Sequence, residues 1–140
     1  MELNNTSQYA IRILSYVANN SSDKLISAKE LSHELNIPYK FLTKIMTDLV
    51  KFDFIFSLRG REGGFRLSRD ASSITIMNVL NAFNEFTDHD KCILGIGECV
   101  GPTGKLKCIL HDKWVKPKSM IKKMYEETTI ENIEGLEFKQ

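Results

Sequence analysis

Pro38 stands between two stretches of helical periodicity and dictates how they are joined. A helix cannot continue through Asn36-Ile37-Pro38, because the residue before a proline is pushed out of the α region, yet proline is well placed to open a new helix. Upstream, Ser27 and Glu30 have the spacing of a capping box, which predicts a helix over 27–35. Downstream, Leu42, Ile45, Met46, Leu49 and Phe52 recur at helical spacing, which predicts a helix over 39–52 with one apolar stripe. Two helices joined so tightly form a helix-turn-helix. The next residues change period. Ile55-Phe56-Ser57-Leu58 and Phe65-Arg66-Leu67 flank Arg59-Gly60-Arg61-Glu62-Gly63-Gly64, two short strands around a glycine-rich turn.

Two further helices frame this unit. Asn5 or Thr6 is positioned to cap a first helix that buries Tyr9, Ile13, Leu14 and Val17 and ends near Asn19-Asn20. Thr75 caps another, with Ile76, Val79, Leu80 and Phe83 packing on the first. Near the C-terminus Trp114, Met120, Ile121, Met124 and Tyr125 mark one face of a long helix, in which Pro117 must either open the first turn or force a kink. The expected fold is mainly α with a small β-hairpin: a winged helix-turn-helix followed by a long C-terminal helix.

Charge separates the functional readings. The net charge of +1 favours no partner, but 38–69 hold Lys40, Lys44, Lys51, Arg59, Arg61, Arg66 and Arg69 against Asp48, Asp53 and Glu62. A local basic patch is what a phosphate backbone meets. Opposite the apolar stripe of the third helix lie Tyr39, Lys40, Thr43, Lys44, Thr47 and Lys51, a basic and hydroxyl-bearing face of the kind a major groove admits. A hairpin directly after a helix-turn-helix is a wing, and Arg59 and Arg61 at its tip suit a minor groove or phosphates. The later lysines, 113, 116, 118, 122 and 123, read as a solvated helix face.

All three cysteines fall in one stretch, Cys92-x6-Cys99-x8-Cys108-x2-His111, with glycines at 95, 97, 101 and 104. Clustered thiolates in a loop of little apolar periodicity are ligands or redox centres more readily than core residues. Structural zinc prefers tight Cys-x2-4-Cys knuckles that are missing here, and a metal-free thiol switch is the other alternative. His33 and His89 read as solvent-exposed bystanders, with His89 a distant reserve ligand. No catalytic triad, paired carboxylates, phosphate loop or dinucleotide fingerprint is present, so an enzyme is not expected. The chain lacks a basic segment followed by an apolar run, and no apolar run approaches the ~18 residues that span a bilayer, which predicts a cytoplasmic protein with no membrane partner.

The stretch Ile37-Pro38-Tyr39-Lys40-Phe41-Leu42-Thr43-Lys44-Ile45, the wing Leu58-Arg59-Gly60-Arg61-Glu62-Gly63-Gly64-Phe65 and the downstream cysteines together resemble the bacterial winged-helix iron-sulfur transcription regulators of the IscR and NsrR type. The resemblance implies a homodimer that binds a palindromic double-stranded DNA operator, probed by Tyr39, Lys40, Thr43 and Lys44 on the recognition helix and by Ser57, Arg59, Gly60 and Arg61 on the wing. Family members differ at the position of Thr43, which leaves sequence preference open. It further implies an iron-sulfur cluster on Cys92, Cys99, Cys108 and His111, with a 2Fe-2S centre favoured and a 4Fe-4S centre the alternative. In the 4Fe-4S branch the fourth ligand is a carboxylate near the N-terminus, a position that falls here on Gln8, a neutral amide and poor iron ligand. By this reading 1–84 form the DNA-binding domain, 85–111 the cluster loop, and 112–140 a dimerisation helix and tail. The function expected is that of a regulator, in the repressor sense, sensing iron-sulfur status, nitric oxide or redox stress; the alternative is a zinc-stabilised or thiol-switch regulator, or a protein-binding adaptor without a cluster.

Overall fold

A computed structural model describes residues 3–20, 24–85 and 109–133. Its elements are α1 (Asn5–Asn20), α2 (Ala28–Leu35), α3 (Tyr39–Lys51), β1 (Ile55–Leu58), β2 (Gly64–Leu67), α4 (Ile76–Ala82) and α5 (Ile109–Glu127), with short 3-10 turns at Ala71–Ser73 and Ile130–Asn132. The core is formed by the stripes of α1 to α4: Ala10, Ile13, Leu14 and Val17, then Leu31 and Leu35, then Leu42, Ile45, Met46 and Leu49, then Ile76, Met77, Val79 and Leu80. This is the expected winged helix-turn-helix.

The boundaries follow local hydrogen bonding. Ser27 caps α2 by accepting the Glu30 N–H at 3.1 Å. The other half of the expected box is not made: the Glu30 carboxylate accepts the Tyr16 hydroxyl at 3.3 Å instead, a tertiary contact that outcompetes the local one. The α1 cap shifts by one residue, since Asn4 Oδ1 accepts the Ser7 N–H at 2.9 Å, ahead of the Asn5 or Thr6 expected. Asn36 ends α2 in the left-handed conformation, φ 52°, which asparagine tolerates better than most residues. Thr75 and Asn78 form a reciprocal capping box on α4.

The hairpin is antiparallel, pairing Ile55 with Leu67 and Leu58 with Gly64. A third segment supports it: Ile26 exchanges backbone bonds with Phe65, at 2.8 and 3.0 Å. Gly64 lies so close to this segment that a Cβ would stand 2.7 Å from the Ile26 carbonyl oxygen.

The C-terminal segment departs from expectation. The Ile76 N–H donates to Thr128 O at 2.9 Å and the Ile130 N–H to Ile74 O at 2.8 Å, while the Ile130 side chain is fully buried. Asn19 Nδ2 reaches Ile133 O at 3.3 Å. Residues 125–133 thus close the core of the N-terminal unit. The proposed stripe of α5 splits accordingly: Tyr125 is buried and Ile121 packs on the core, whereas Met120 and Met124 stay exposed. The reason is rotation, because four consecutive-turn apolar residues span more arc than one contact covers, and the domain takes the Ile121–Tyr125 edge. Pro117 does not open α5, which begins eight residues earlier, so of the two expected roles it takes the interior one and leaves the Lys113 carbonyl without its usual i+4 donor.

Candidate nucleic-acid interface

The burial of Leu42, Ile45, Met46 and Leu49 fixes the rotation of α3 and turns its other face outward. On that face Tyr39, Lys40 and Lys44 are exposed and Thr43 is half-buried. Both threonine hydroxyls fold back onto the helix, Thr43 Oγ1 donating to Lys40 O at 3.1 Å and Thr47 Oγ1 to Thr43 O at 2.9 Å. Pro38 supplies no side-chain cap, so the first N–H groups of α3 keep their donors and the positive end of the helix dipole stands beside the lysines. Phe41, 57% exposed, belongs to the same turn. It was not among the expected contacts, because an aromatic within helical periodicity reads as core until burial is known.

A cleft of about 240 Å³ separates the start of α1 from α3, lined by Asn5, Thr6, Tyr9, Phe41, Lys44, Ile45 and Asp48. The back of Tyr9 is covered by the Arg12 guanidinium, 5.7 Å from the ring centroid.

The wing sorts its arginines by occupation. Arg66 stacks on Phe56 at 4.3 Å, directly across the hairpin, and Arg69 stacks on Phe54 at 4.4 Å while its Nε donates to Asp53 O at 3.2 Å. Among the described residues Arg59 and Arg61 make no ion pair, hydrogen bond or ring contact, and both are exposed with Ser57 and Gly60. The turn between them is tight: Gly63 N–H donates to Gly60 O at 3.1 Å, and a Cβ at Gly63 would stand 2.3 Å from Leu58 O. The structure therefore brings Tyr39, Lys40, Thr43 and Lys44 together on α3, and Ser57, Arg59, Gly60 and Arg61 together on the wing.

Of the soft-ligand group only His111 lies within the described residues, half-buried in the first turn of α5; Cys92, Cys99 and Cys108 lie outside them, as does His89. The helix begins one residue after Cys108, three residues before the start expected at 112. Among the described residues no three His, Cys, Asp or Glu side chains converge to hold a metal. Gln8 is already engaged, its Nε2 donating to Leu3 O at 2.5 Å. Sequence reading missed Glu85, which ties the N-terminus to the end of α4. Its Oε1 accepts the Asn4 N–H at 2.6 Å, while its Oε2 is buried with no hydrogen-bond partner among the described residues. Burial raises the Tyr125 hydroxyl pKa, and the Glu85 charge adds to the shift.

A helix-turn-helix with a basic outward face and a wing with two unoccupied arginines define a winged-helix DNA-binding transcription regulator. The comparison with known proteins is specific. The chain belongs to the Rrf2 family of iron-dependent transcriptional regulators, whose model matches residues 3–134. It is 32% identical over 139 residues, 99% of this chain and 95% of the relative, to a protein of Aquifex aeolicus named as an HTH-type transcriptional regulator. It is also 32% identical over 130 residues to the HTH-type transcriptional regulator IscR of Vibrio campbellii, covering 93% of this chain and 75% of that one. The fold matches the structure of CymR, the global cysteine regulator of B. subtilis, with a TM-score of 0.76 over 94% of this chain and 95% of that one, at 17% identity. These relatives are regulators and not enzymes, and no helix among the described residues is long and apolar enough to cross a membrane.

Proposed function

We propose that the protein is a homodimeric repressor that binds a palindromic operator with an affinity set by an iron-sulfur cluster. The observation that carries the DNA reading is the contrast within the wing: Arg66 and Arg69 are stacked on aromatic rings, while Arg59 and Arg61 stand exposed and uncommitted beside Ser57 and Gly60. Arginines with no partner among the described residues are available to phosphates or to a narrow minor groove. Lys40 and Lys44, with Tyr39 and Thr43, are the corresponding contacts of α3 in the major groove.

Dimerisation is supported by α5. Ile109, Leu110, Met120 and Met124 are all substantially exposed along one side of it, whereas Tyr125 is its one buried residue. A second copy related by a two-fold axis would cover this surface and set two recognition helices about one DNA turn, ~34 Å, apart.

The donor set fits an iron-sulfur cluster. Cys92, Cys99 and Cys108 offer three thiolates, and His111 offers an imidazole from the first turn of the helix that follows Cys108 directly. A bound cluster would supply a redox- and iron-responsive centre, and imidazole in place of a thiolate generally raises its potential. A 2Fe-2S centre is the reading preferred, since Gln8, where a carboxylate would serve the 4Fe-4S branch, is neutral and engaged with Leu3.

The test is the visible spectrum and iron-to-sulfide ratio of protein purified without oxygen. Each Cys→Ala variant is expected to be colourless and His111→Ala to hold a labile or altered chromophore. Colourless wild-type protein carrying stoichiometric zinc would replace the cluster with a structural zinc site, and colourless metal-free protein would favour a thiol switch. Operator affinity that does not fall with salt would remove the DNA reading, because phosphate contacts release counterions.

A further inference from the structure

The outward side chains on the first half of α3 differ in what they can offer a base edge. Lys40 and Lys44 are donors only. The hydroxyls of Thr43 and Thr47 donate to the Lys40 and Thr43 carbonyls, at 3.1 and 2.9 Å, and keep only acceptor capacity for a base edge. Phe41 has neither donor nor acceptor, yet at 57% it is the most exposed large apolar side chain in the described part of the N-terminal unit, ahead of Leu58 at 54% and Tyr39 at 53%. Its place is bounded on the α1 side, where it lines the cleft with Asn5, Thr6 and Tyr9.

A major groove offers hydrogen-bonding atoms at every base pair and a single apolar group, the thymine C5 methyl. A phenylalanine has nothing to give a phosphate, a carbonyl or an amino group, but it packs well on a methyl. We infer that Phe41 is a specificity-determining residue that packs on one thymine methyl in each half-site, flanked by guanine edges within reach of Lys40 and Lys44. This inference rests on the reading role proposed for α3 and adds its chemical content. The preferred half-site combines guanine, whose O6 and N7 accept from lysine, with a thymine recognised by shape.

Uracil pairs as thymine does and lacks only the methyl, so the contact can be removed from the DNA side without touching the protein. The full-length chain is used to enrich duplexes from a randomised pool, and each thymine of the enriched half-site is replaced singly by deoxyuridine. Wild-type protein is expected to lose about fourfold in affinity at one thymine per half-site, the transfer free energy of one methyl group. Phe41→Ala is expected to bind the thymine duplex about fourfold or more weakly and to be indifferent to uracil at that position. Phe41→Leu keeps an apolar contact and should retain part of the discrimination. Should wild-type protein enrich no sequence, the reading role of α3 fails and this inference falls with it. Should it enrich a sequence but tolerate every uracil, or should Phe41→Ala keep the wild-type uracil penalty, DNA reading stands and the assignment of Phe41 is overturned. Wild-type uracil scanning and the leucine variant decide the matter even if the alanine variant folds poorly.

Discussion

Replacing Ile130 by alanine tests whether the C-terminal segment is part of the DNA-binding domain. The Ile130 side chain is fully buried and its N–H donates to Ile74 O at 2.8 Å. Alanine keeps that backbone bond, so the substitution isolates the side chain. It deletes three carbons, which at ~0.8 kcal/mol per methylene amounts to about 2.4 kcal/mol of transfer free energy. The cavity left behind adds to this, and large-to-small core changes of this type cost ~2–5 kcal/mol. A loss of about 3–4 kcal/mol is expected, a large part of the ~5–15 kcal/mol typical of a domain. At roughly 4 °C per kcal/mol for a chain of this size, the melting temperature should fall by about 12–16 °C. Urea unfolding at fixed protein concentration should show a lower midpoint with an unchanged slope. Lys29→Ala, exposed on α2 and away from both the DNA face and α5, is the control and should stay within about 0.5 kcal/mol. A loss below about 1 kcal/mol for Ile130→Ala would refute the argument that residues 125–133 close the core.

Arg59→Ala or Arg61→Ala should weaken operator binding by about 1–3 kcal/mol if the arginine makes a bidentate base contact, and by less for a phosphate contact; unchanged affinity in both, measured by titration at physiological salt, would contradict the wing assignment. Met120→Asp with Met124→Asp should yield monomers in sedimentation without unfolding, because both side chains are exposed in the protomer; the same change at Ile121 would strike the core and report on the wrong surface. Tyr16 has its hydroxyl pKa raised, first by burial and then by the Glu30 charge, as burial and then Glu85 raise that of Tyr125. A folded-state value above the unfolded value of about 10 means that this stabilisation is complete below pH ~10 and is lost as pH rises through the folded value. Urea unfolding between pH 9 and 11 should show the decline, and Tyr16→Phe should flatten it.

Much of the fold was legible because it is written in short-range chemistry. Pro38, the Ser27 cap, the Thr75 cap and the period of Leu42, Ile45, Met46 and Leu49 each act within a few residues, and their elements fall within a residue or two of expectation. What escaped was tertiary. No local signal announces that Ile26 will pair with Phe65, that Glu85 will hold the Asn4 N–H, or that Thr128 and Ile130 will bond to Ile76 and Ile74. The exposed face of α3 was readable from its polar residues, but Phe41 was hidden by its type. The difference between Arg59 and Arg66 depends on which arginine has an aromatic ring across the hairpin, and strand register decides that.

The pairing of Ile74 with Ile130 also sets the order of events at the ribosome. Forty-eight residues separate the end of α4 at Ala82 from Ile130, and at about 5–20 residues per second their synthesis takes roughly 2–10 s. Throughout that interval the nascent winged helix lacks Tyr125 and Ile130 and presents an open seam along Ile74 and Ile76. The seam closes only after Cys92, Cys99, Cys108 and His111 have all been made. The protein cannot complete its winged-helix core before the cysteine-bearing stretch has been synthesised, so a chain terminated within that stretch lacks the residues that close the seam.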